Sequence, residues 1–305
     1  MKCRGAHVRL LYNQSVTGNT VQRGLLIVTL ASLAAAQPPS RLERAHALYQ
    51  KTDYRGAISI LTQPASLDTG PALELLGRCW YQEGEFGKAV GAFEKAVAAK
   101  PANSGYRNWL GRAWGRRAET SNPLLAPRYA SRARHHLEEA VRLDPLNLEA
   151  ASDLLTYYLE APGFLGGGID KATSLAERIK TADGAEYNLA LARIAERRKQ
   201  VDLAEKFFLK AIDLAPKQVG NIVELAKFLA RQGKFQASDA AFTRAFGISP
   251  SGNQVRFAAA ETYVQTGRNL EAARRLLAEY VNSTLTPDDP PREEALKLLR
   301  QIPGG

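Results

Sequence analysis

Apolar residues recur at spacings of three and four along most of the chain, in short blocks divided by Gly, Asn, Asp or Pro. That spacing sets apolar side chains on one face of a helix and polar ones on the other. The clearest stretch is residues 70–101, GPALELLGRCWYQEGEFGKAVGAFEKAVAAKP. It predicts two helices. Leu76, Gly77 and Trp80 mark the apolar face of the first, and Phe86, Ala89, Phe93 and Ala96 that of the second. Gly84 separates them, because glycine reaches left-handed backbone angles cheaply. Pro101 ends the second, because proline lacks the amide donor a helix needs.

A small residue returns along this pattern. Ala57, Ala89, Ala133, Ala172, Ala204, Ser238 and Ala272 are 32, 44, 39, 32, 34 and 34 residues apart. A small side chain at such a period marks the place where the two helices of a repeat cross closely. Gly77, Trp80, Phe86, Ala89, Phe93, Ala96 and Pro101 together resemble the tetratricopeptide repeat (TPR). Further copies follow at Ala204, Phe208, Ala211 and Pro216, at Leu225, Ala226, Gly233, Phe235, Phe242, Ala245 and Pro250, and at Ala259, Tyr263, Gly267, Ala272 and Leu276. A weaker copy holds Ala45, Leu48, Tyr54, Ala57 and Leu61, where Pro64 predicts an early end to the second helix. The resemblance implies an all-α solenoid of about seven repeats over residues 38–284. In residues 285–305 a last helix, with Leu296 and Leu299 turned inward, would cap the open apolar face.

Two neighbouring repeats depart from the pattern. The third carries extra residues within RRAETSNPLLAPRYASR and the fourth within EAPGFLGGGIDKA. The spacing predicts two long loops, 119–129 and 161–170, side by side on one edge. Loops on a rigid scaffold often carry function, although a surface loop also lengthens at little entropic cost. In the fourth repeat Leu155 replaces the usual Ala or Gly, and Ala176 replaces the usual Phe or Leu. A large-for-small exchange across the pair would conserve packed volume.

Arg23, the apolar run LLIVTLASLAAA and the Ala34–Ala35–Ala36 site describe a secretory signal over residues 1–36, behind an extended polar start. The run is short for a membrane span, which takes roughly 20 residues. The expected location is therefore periplasmic or extracellular, with membrane attachment only through an uncleaved signal. Residues 1–36 hold four basic residues and no acid, so their removal lowers the formal charge from +10 to +6. Cys79 is then the one cysteine left, which excludes an intramolecular disulfide.

Catalytic chemistry is sparse. His135 and His136 are adjacent and point about 100° apart on a helix, and no histidine pair has ligand spacing. The sequence implies no metal, no cofactor and no enzyme. Cys79 lacks a histidine nearby in sequence and reads as an inert thiol. GFLGGGIDK does not meet the phosphate-loop pattern, because Ile169 and Asp170 separate the last Gly from Lys171. Its glycines instead permit a sharp turn before Asp170, a candidate helix cap.

The resemblance implies a concave groove lined by the first helices. Arg78, Arg112, Arg116, Arg193, Arg197, Lys227 and Arg231 fall at groove positions, with Tyr49, Tyr81, Trp109, Val223 and Phe257 between them. Glu74, Glu149, Asp153, Glu160, Glu186 and Glu196 lie there too. The expected role is a scaffold or adaptor that holds a protein or peptide segment, with an acidic segment suited to the arginines. Envelope assembly or secretion would be a fitting setting. A small-molecule or enzyme-like role for the two inserted loops is the alternative. Nucleic acid is a poor partner, because no basic run carries aromatic platforms. Nothing in the sequence sets the oligomeric state.

Overall fold

A computed structural model describes residues 39–63 and 69–303. The predicted export signal lies outside the described residues. The helices follow one another in hairpins: α1 (Arg41–Gln50) with α2 (Tyr54–Leu61), α3 (Gly70–Gln82) with α4 (Phe86–Ala99), and α5 (Ser104–Glu119) with α6 (Ala126–Leu143). Then come α7 (Leu148–Glu160) with α8 (Ile169–Ile179), α9 (Gly184–Arg197) with α10 (Val201–Leu214), α11 (Val219–Arg231) with α12 (Phe235–Ile248), and α13 (Asn253–Thr266) with α14 (Leu270–Asn282). A final helix, α15 (Arg292–Gln301), follows. The described residues form an all-α solenoid of seven repeats and a closing helix, without a strand.

The helix starts are written into the sequence. Ser40 and Glu43 form a reciprocal capping box at α1. Asp53, Asn103, Asn147 and Asp183 each accept a backbone amide at the start of α2, α5, α7 and α9. Asp170 does not cap α8. The cap position is Gly168, and Asp170 lies in the first turn, where its charge favours the positive end of the helix.

Close crossing accounts for the recurring small residue. Ala57, Ala89, Ala172, Ala204 and Ser238 are each the fourth residue of a second helix, and all are buried. The first helix yields space as well. A Cβ at Gly77 would sit 2.6 Å from the Phe93 ring, and one at Gly111 would sit 2.8 Å from Leu137. The Ser238 hydroxyl satisfies itself by donating to the Ala226 carbonyl at 2.8 Å. In the seventh repeat the crossing residue is Ala273, fully buried, rather than Ala272. Two residues, Arg268 and Asn269, follow the left-handed Gly267, where one follows Gly84 or Gly233. The added residue rotates α14 by one position, so Leu277 replaces Leu276 in the fully buried core.

The insertions differ in form. In the third repeat most of the extra chain lengthens the helices, leaving a loop of only 120–125. RRAE continues α5, and Pro127 is tolerated in the first turn of α6 because the amide it lacks has no partner there. In the fourth repeat residues 161–168 form a compact loop around a 3-10 turn at Gly163–Leu165. Leu155 and Ala176 share one buried cluster, as a volume exchange requires. At the end of the array Ala295, Leu298 and Leu299 of α15 cover the final core. Leu296 is not among the side chains packed there, contrary to the sequence reading, because α15 is rotated to bring Ala295 innermost.

First helices touch first helices in successive repeats, while second helices do not meet one another closely. The array therefore curves toward the first-helix side, which becomes the inner face. α9 and α11 touch least among these neighbours.

Candidate functional site

The inner face begins with an aromatic and guanidinium cluster built by α3 and α5. Trp109 is half-buried; its ring stacks on Phe93 at 5.9 Å and meets the edge of Tyr81 at 5.6 Å. The guanidinium carbons of Arg78 and Arg112 lie 4.5 and 4.8 Å from its ring centre. Arg116, one turn beyond Arg112, lies 5.2 Å from the ring of Phe86. Tyr81, Trp109, Arg112 and Arg116, together with Asp153, Thr156 and Glu160 of α7, border a cavity of about 400 Å³. An aromatic face with cations beside it attracts positive groups to the ring and negative groups to the guanidinium edges.

Carboxylates answer most of the cations. Arg112 donates to Asp153 at 2.5 Å and to Glu149 at 2.6 Å, across from α5 to α7. Burial works against its charge, and these bonds outweigh it, so its pKa stands above the ordinary value. Asn108 donates to the same Asp153 oxygen at 2.8 Å. Arg78 bonds Glu74 at 2.5 Å and Arg116 bonds Glu119 at 2.5 Å. Lys227 reaches Glu261 at 3.3 Å, and Arg231 grips both oxygens of Glu196 at 2.8 and 2.9 Å. The groove is thus a mixed-charge surface, not the basic one expected from counting its cations. The bonds of Arg112, Lys227 and Arg231 span neighbouring first helices, so pairing also ties the repeats together.

Two cations stand apart. Arg193 donates to the Thr156 hydroxyl at 2.7 Å rather than to an acid. Arg197 is exposed and has no hydrogen-bond or ion-pair partner among the described residues. Both border a cavity of about 600 Å³ at the loose α9–α11 step, with Glu160, Glu224 and Arg231 on its other sides. Farther along, Lys227, Val223 and Phe257 border a cavity of about 580 Å³. Tyr49 is not a groove residue; it is buried in the core of the first repeat.

The sequence reading missed one contributor. Residues 284–291, between α14 and α15, border the last cavity through Asp288 and Pro290. Gln82 of α3 donates to the Pro287 carbonyl at 3.1 Å. No periodic signal links positions so far apart; Pro287, Pro290 and Pro291 indicate only that the segment is not helical.

The two inserted loops do not share a cavity. Glu119 borders the Trp109 cavity, which takes no residue from 161–170. Asp170 borders a cavity of about 300 Å³ between α7 and α8, which takes none from 119–129. The 161–168 loop leans on α6 and α7 instead, with Arg134 of α6 and Tyr157 of α7 donating to the Leu165 carbonyl at 3.3 and 2.9 Å. Lys171 of the glycine-rich stretch closes that loop by donating to the Gly166 carbonyl at 2.9 Å. Burial, followed by the nearby Glu83, pushes the Cys79 thiol up to about 12, far from the thiolate a nucleophile needs. Among the described residues no three His, Cys, Asp or Glu side chains gather as a metal-binding group. No helix among them is long and apolar enough to cross a membrane.

A tetratricopeptide repeat model matches residues 42–104, 170–219 and 223–290, more than half of the chain. The chain belongs to the tetratricopeptide repeat family. The unmatched stretch between these matches, 105–169, holds the lengthened α5 and α6 and the 161–168 loop, where this TPR array departs from its own period. A tetratricopeptide repeat protein from Parabacteroides merdae is similar in fold, with a TM-score of 0.56 at 15% identity over 86% of this chain and 97% of that one. A thermophilic TPR protein from Thermus thermophilus is 22% identical over 62% of this chain and 97% of that one, with a TM-score of 0.49. No curated protein matches the sequence. TPR arrays are in general protein-interaction scaffolds and are typically non-catalytic, which is the class of role this fold carries.

Proposed function

We propose that this TPR protein is a non-catalytic adaptor that holds an extended peptide or protein segment in its concave groove. The observation that carries the reading is the pair Arg193 and Arg197 beside the α9–α11 cavity. They are cations without a carboxylate partner in a groove where the other named cations have one. A side-chain or terminal carboxylate of the bound segment would complete them, and the Trp109 cluster would take an apolar or cationic residue farther along. Residues 1–36 carry the features of an export signal, and we place the adaptor in the periplasm or outside the cell, in envelope assembly or secretion. Localisation is checked by fusing those residues to a reporter that is active only after export.

The groove is tested with peptides selected from a displayed random library. Arg193→Glu with Arg197→Glu should weaken their binding at least ten-fold, as expected for loss of charge-assisted contacts. Lys95→Glu with Lys210→Glu, exposed on second helices, should leave binding intact. Equal loss in both pairs, or in neither, would remove the groove from the function.

A further inference from the structure

We infer that the turn between α5 and α6 is a membrane-docking tip. It seats Leu124 and Leu125 at the acyl boundary of a bilayer and brings Arg117 and Arg128 to the phosphates of anionic lipids. The inference does not depend on the groove; it adds a contact surface on the edge where the hairpins turn.

The third hairpin stands out from its neighbour at that edge. Its crossing residue, Ala133, is the eighth residue of α6, whereas Ala89 is the fourth of α4. At 1.5 Å per residue, the added turn carries the tip roughly 6 Å beyond that of the second repeat. The apex is apolar: Leu124 is 88% exposed, and Pro123 and Leu125 are exposed beside it. It is also fixed in shape. The Asn122 side chain accepts the Leu124 amide at 2.9 Å, and the Asn122 carbonyl accepts those of Leu125 and Ala126 at 2.9 and 3.1 Å. The Thr120 and Ser121 hydroxyls donate back to carbonyls of α5 at 2.9 and 3.1 Å. Few polar groups are therefore stripped of water when the apex enters an apolar phase.

Cations stand behind the apex. Arg128, exposed in the first turn of α6, has no hydrogen-bond or ion-pair partner among the described residues. Arg117 lies 4.6 Å from the ring centre of Tyr129 and 5.1 Å from that of Trp114. Aromatic faces hold its plane in place of a carboxylate, which leaves its N–H donors for phosphate oxygens. Acids answer the other two arginines: Glu119 meets Arg116 at 2.5 Å and Glu94 meets Arg132 at 3.9 Å. On the neighbouring turn Glu83 and Glu85 are themselves paired, with Arg55 at 2.8 Å and Lys88 at 3.4 Å. The fourth repeat's loop, flanked by Glu160 and Asp170, leans on α6 at Arg134, roughly 13 Å along the helix from Leu125. The charge left unpaired at the tip is thus positive.

Depth and charge together select a bilayer. Arg128 is three residues beyond Leu125, roughly 5 Å along α6, and interfacial apolar surface sinks about 5–10 Å into the headgroup–acyl boundary. Leucines at that depth leave the guanidinium groups level with the phosphates. A protein partner fits less well, because a stable interface covers about 800 Å² per side and the apex offers three exposed residues. Such a tip holds the chain at a membrane face without a spanning helix.

The test follows a polarity-sensitive dye on the full chain. Cys3→Ser leaves only Cys79, which is buried and escapes labelling. The dye is attached at Pro123→Cys in one protein and at Leu146→Cys in another. Leu146 is exposed in the turn after α6, at the opposite end of that helix. Vesicles of phosphatidylcholine mixed with phosphatidylglycerol should shift the dye at 123 to the blue and leave the dye at 146 unshifted. Phosphatidylcholine alone should bind roughly ten-fold more weakly, and added salt should weaken binding to the mixture. Leu124→Ser with Leu125→Ser should weaken binding by roughly ten-fold or more, and so should Arg117→Gln with Arg128→Gln. Attachment through residues 1–36 alone would leave the dye at 123 unshifted and overturn the tip. Equal shifts at both positions, or a serine variant that binds like the parent, would overturn it too. Equal binding to both kinds of vesicle overturns the anionic lipid. A concentration-dependent rise in mass without vesicles, lost in the serine variant, would assign the leucines to a second copy of the chain instead.

Discussion

Alanine in place of Gly167 should dislodge the loop of the fourth repeat. A Cβ at that position would lie 1.8 Å from the Ala161 carbonyl oxygen and 2.6 Å from its carbon. Non-bonded carbons settle at roughly 3.5–4 Å, and both partners here are backbone, so no side chain can swing aside. The loop must shift, which strains the bonds from the Gly167 amide to Pro162 at 3.2 Å and from the Gly168 amide to Tyr158 at 2.8 Å. Overpacking of this kind costs about 1–3 kcal/mol, and a weakened buried hydrogen bond adds about 1 kcal/mol. The neighbouring glycines supply internal controls. Gly166 has φ +86 and would meet the flexible tip of Arg134, so alanine there costs about 1–2 kcal/mol from the left-handed backbone. Gly163 has nothing within 4 Å, so alanine there should be neutral or slightly stabilising. Urea titration of the three variants should rank Gly167→Ala well below Gly166→Ala, with Gly163→Ala at the parent value. At about 2–4 °C per kcal/mol for a chain of this size, the Tm of Gly167→Ala should fall by about 4–16 °C. Amide exchange should confine the loss to α7, α8 and their neighbours, because repeats couple chiefly to adjacent repeats. If Gly167→Ala unfolds with the parent protein, or Gly163→Ala loses as much, close backbone approach is not the reason for the glycines.

A double-mutant cycle of Arg112→Ala and Asp153→Ala should give a coupling of about 1–2 kcal/mol, since both ends are half-buried and the bond is charge-assisted. A coupling below about 0.3 kcal/mol, a value typical of many surface pairs, would deny the pair a role in joining α5 to α7. Burial, with His135, Arg107 and Arg132 nearby, lowers the pKa of His136 from 6.5 to about 4. The unfolded chain therefore takes up a proton first as pH falls, and stability should drop between pH 6.5 and 4. That gap corresponds to at most about 3.4 kcal/mol, reduced by screening at a half-buried ring. In His136→Gln, denaturation followed across that window should show a flatter pH slope, and an unchanged slope would assign the acid sensitivity elsewhere.

Which features were legible depends on the distance over which each is decided. The crossing alanines could be read because close helix approach admits only a small side chain, and each position is set within its own hairpin. Ala272 was misplaced by one because the left-handed φ of +48 at Asn269 leaves no periodic trace, although Asn tolerates that conformation better than most residues. The residues on either side of 120–125 read as loop because a period measures added length, not the helical state of what is added. RRAE and RYASR have no breaker inside them, so helix absorbed them.

The groove divides along the same line. Placing Arg112 or Arg197 on the inner face needs only the phase of one helix, and that was available. Knowing that Arg112 is satisfied and Arg197 is not requires the packing of α5 on α7 and the looser step from α9 to α11. Composition counts charges, whereas recognition depends on charges left without partners, and pairing between first helices is a property of the stacked array. Gln82 with Pro287 is the extreme case. A superhelix brings its early and late repeats together through the accumulated rotation of every repeat between them, so small changes in helix length anywhere along the array alter that contact. The lengthened α5 and α6 and the compact 161–168 loop lie between its two ends. An array of unvaried period would rotate differently at the fourth repeat and carry residues 284–291 to a different height on α3. The departures from period in the third and fourth repeats therefore act on the groove through curvature, at a place remote from the loops themselves.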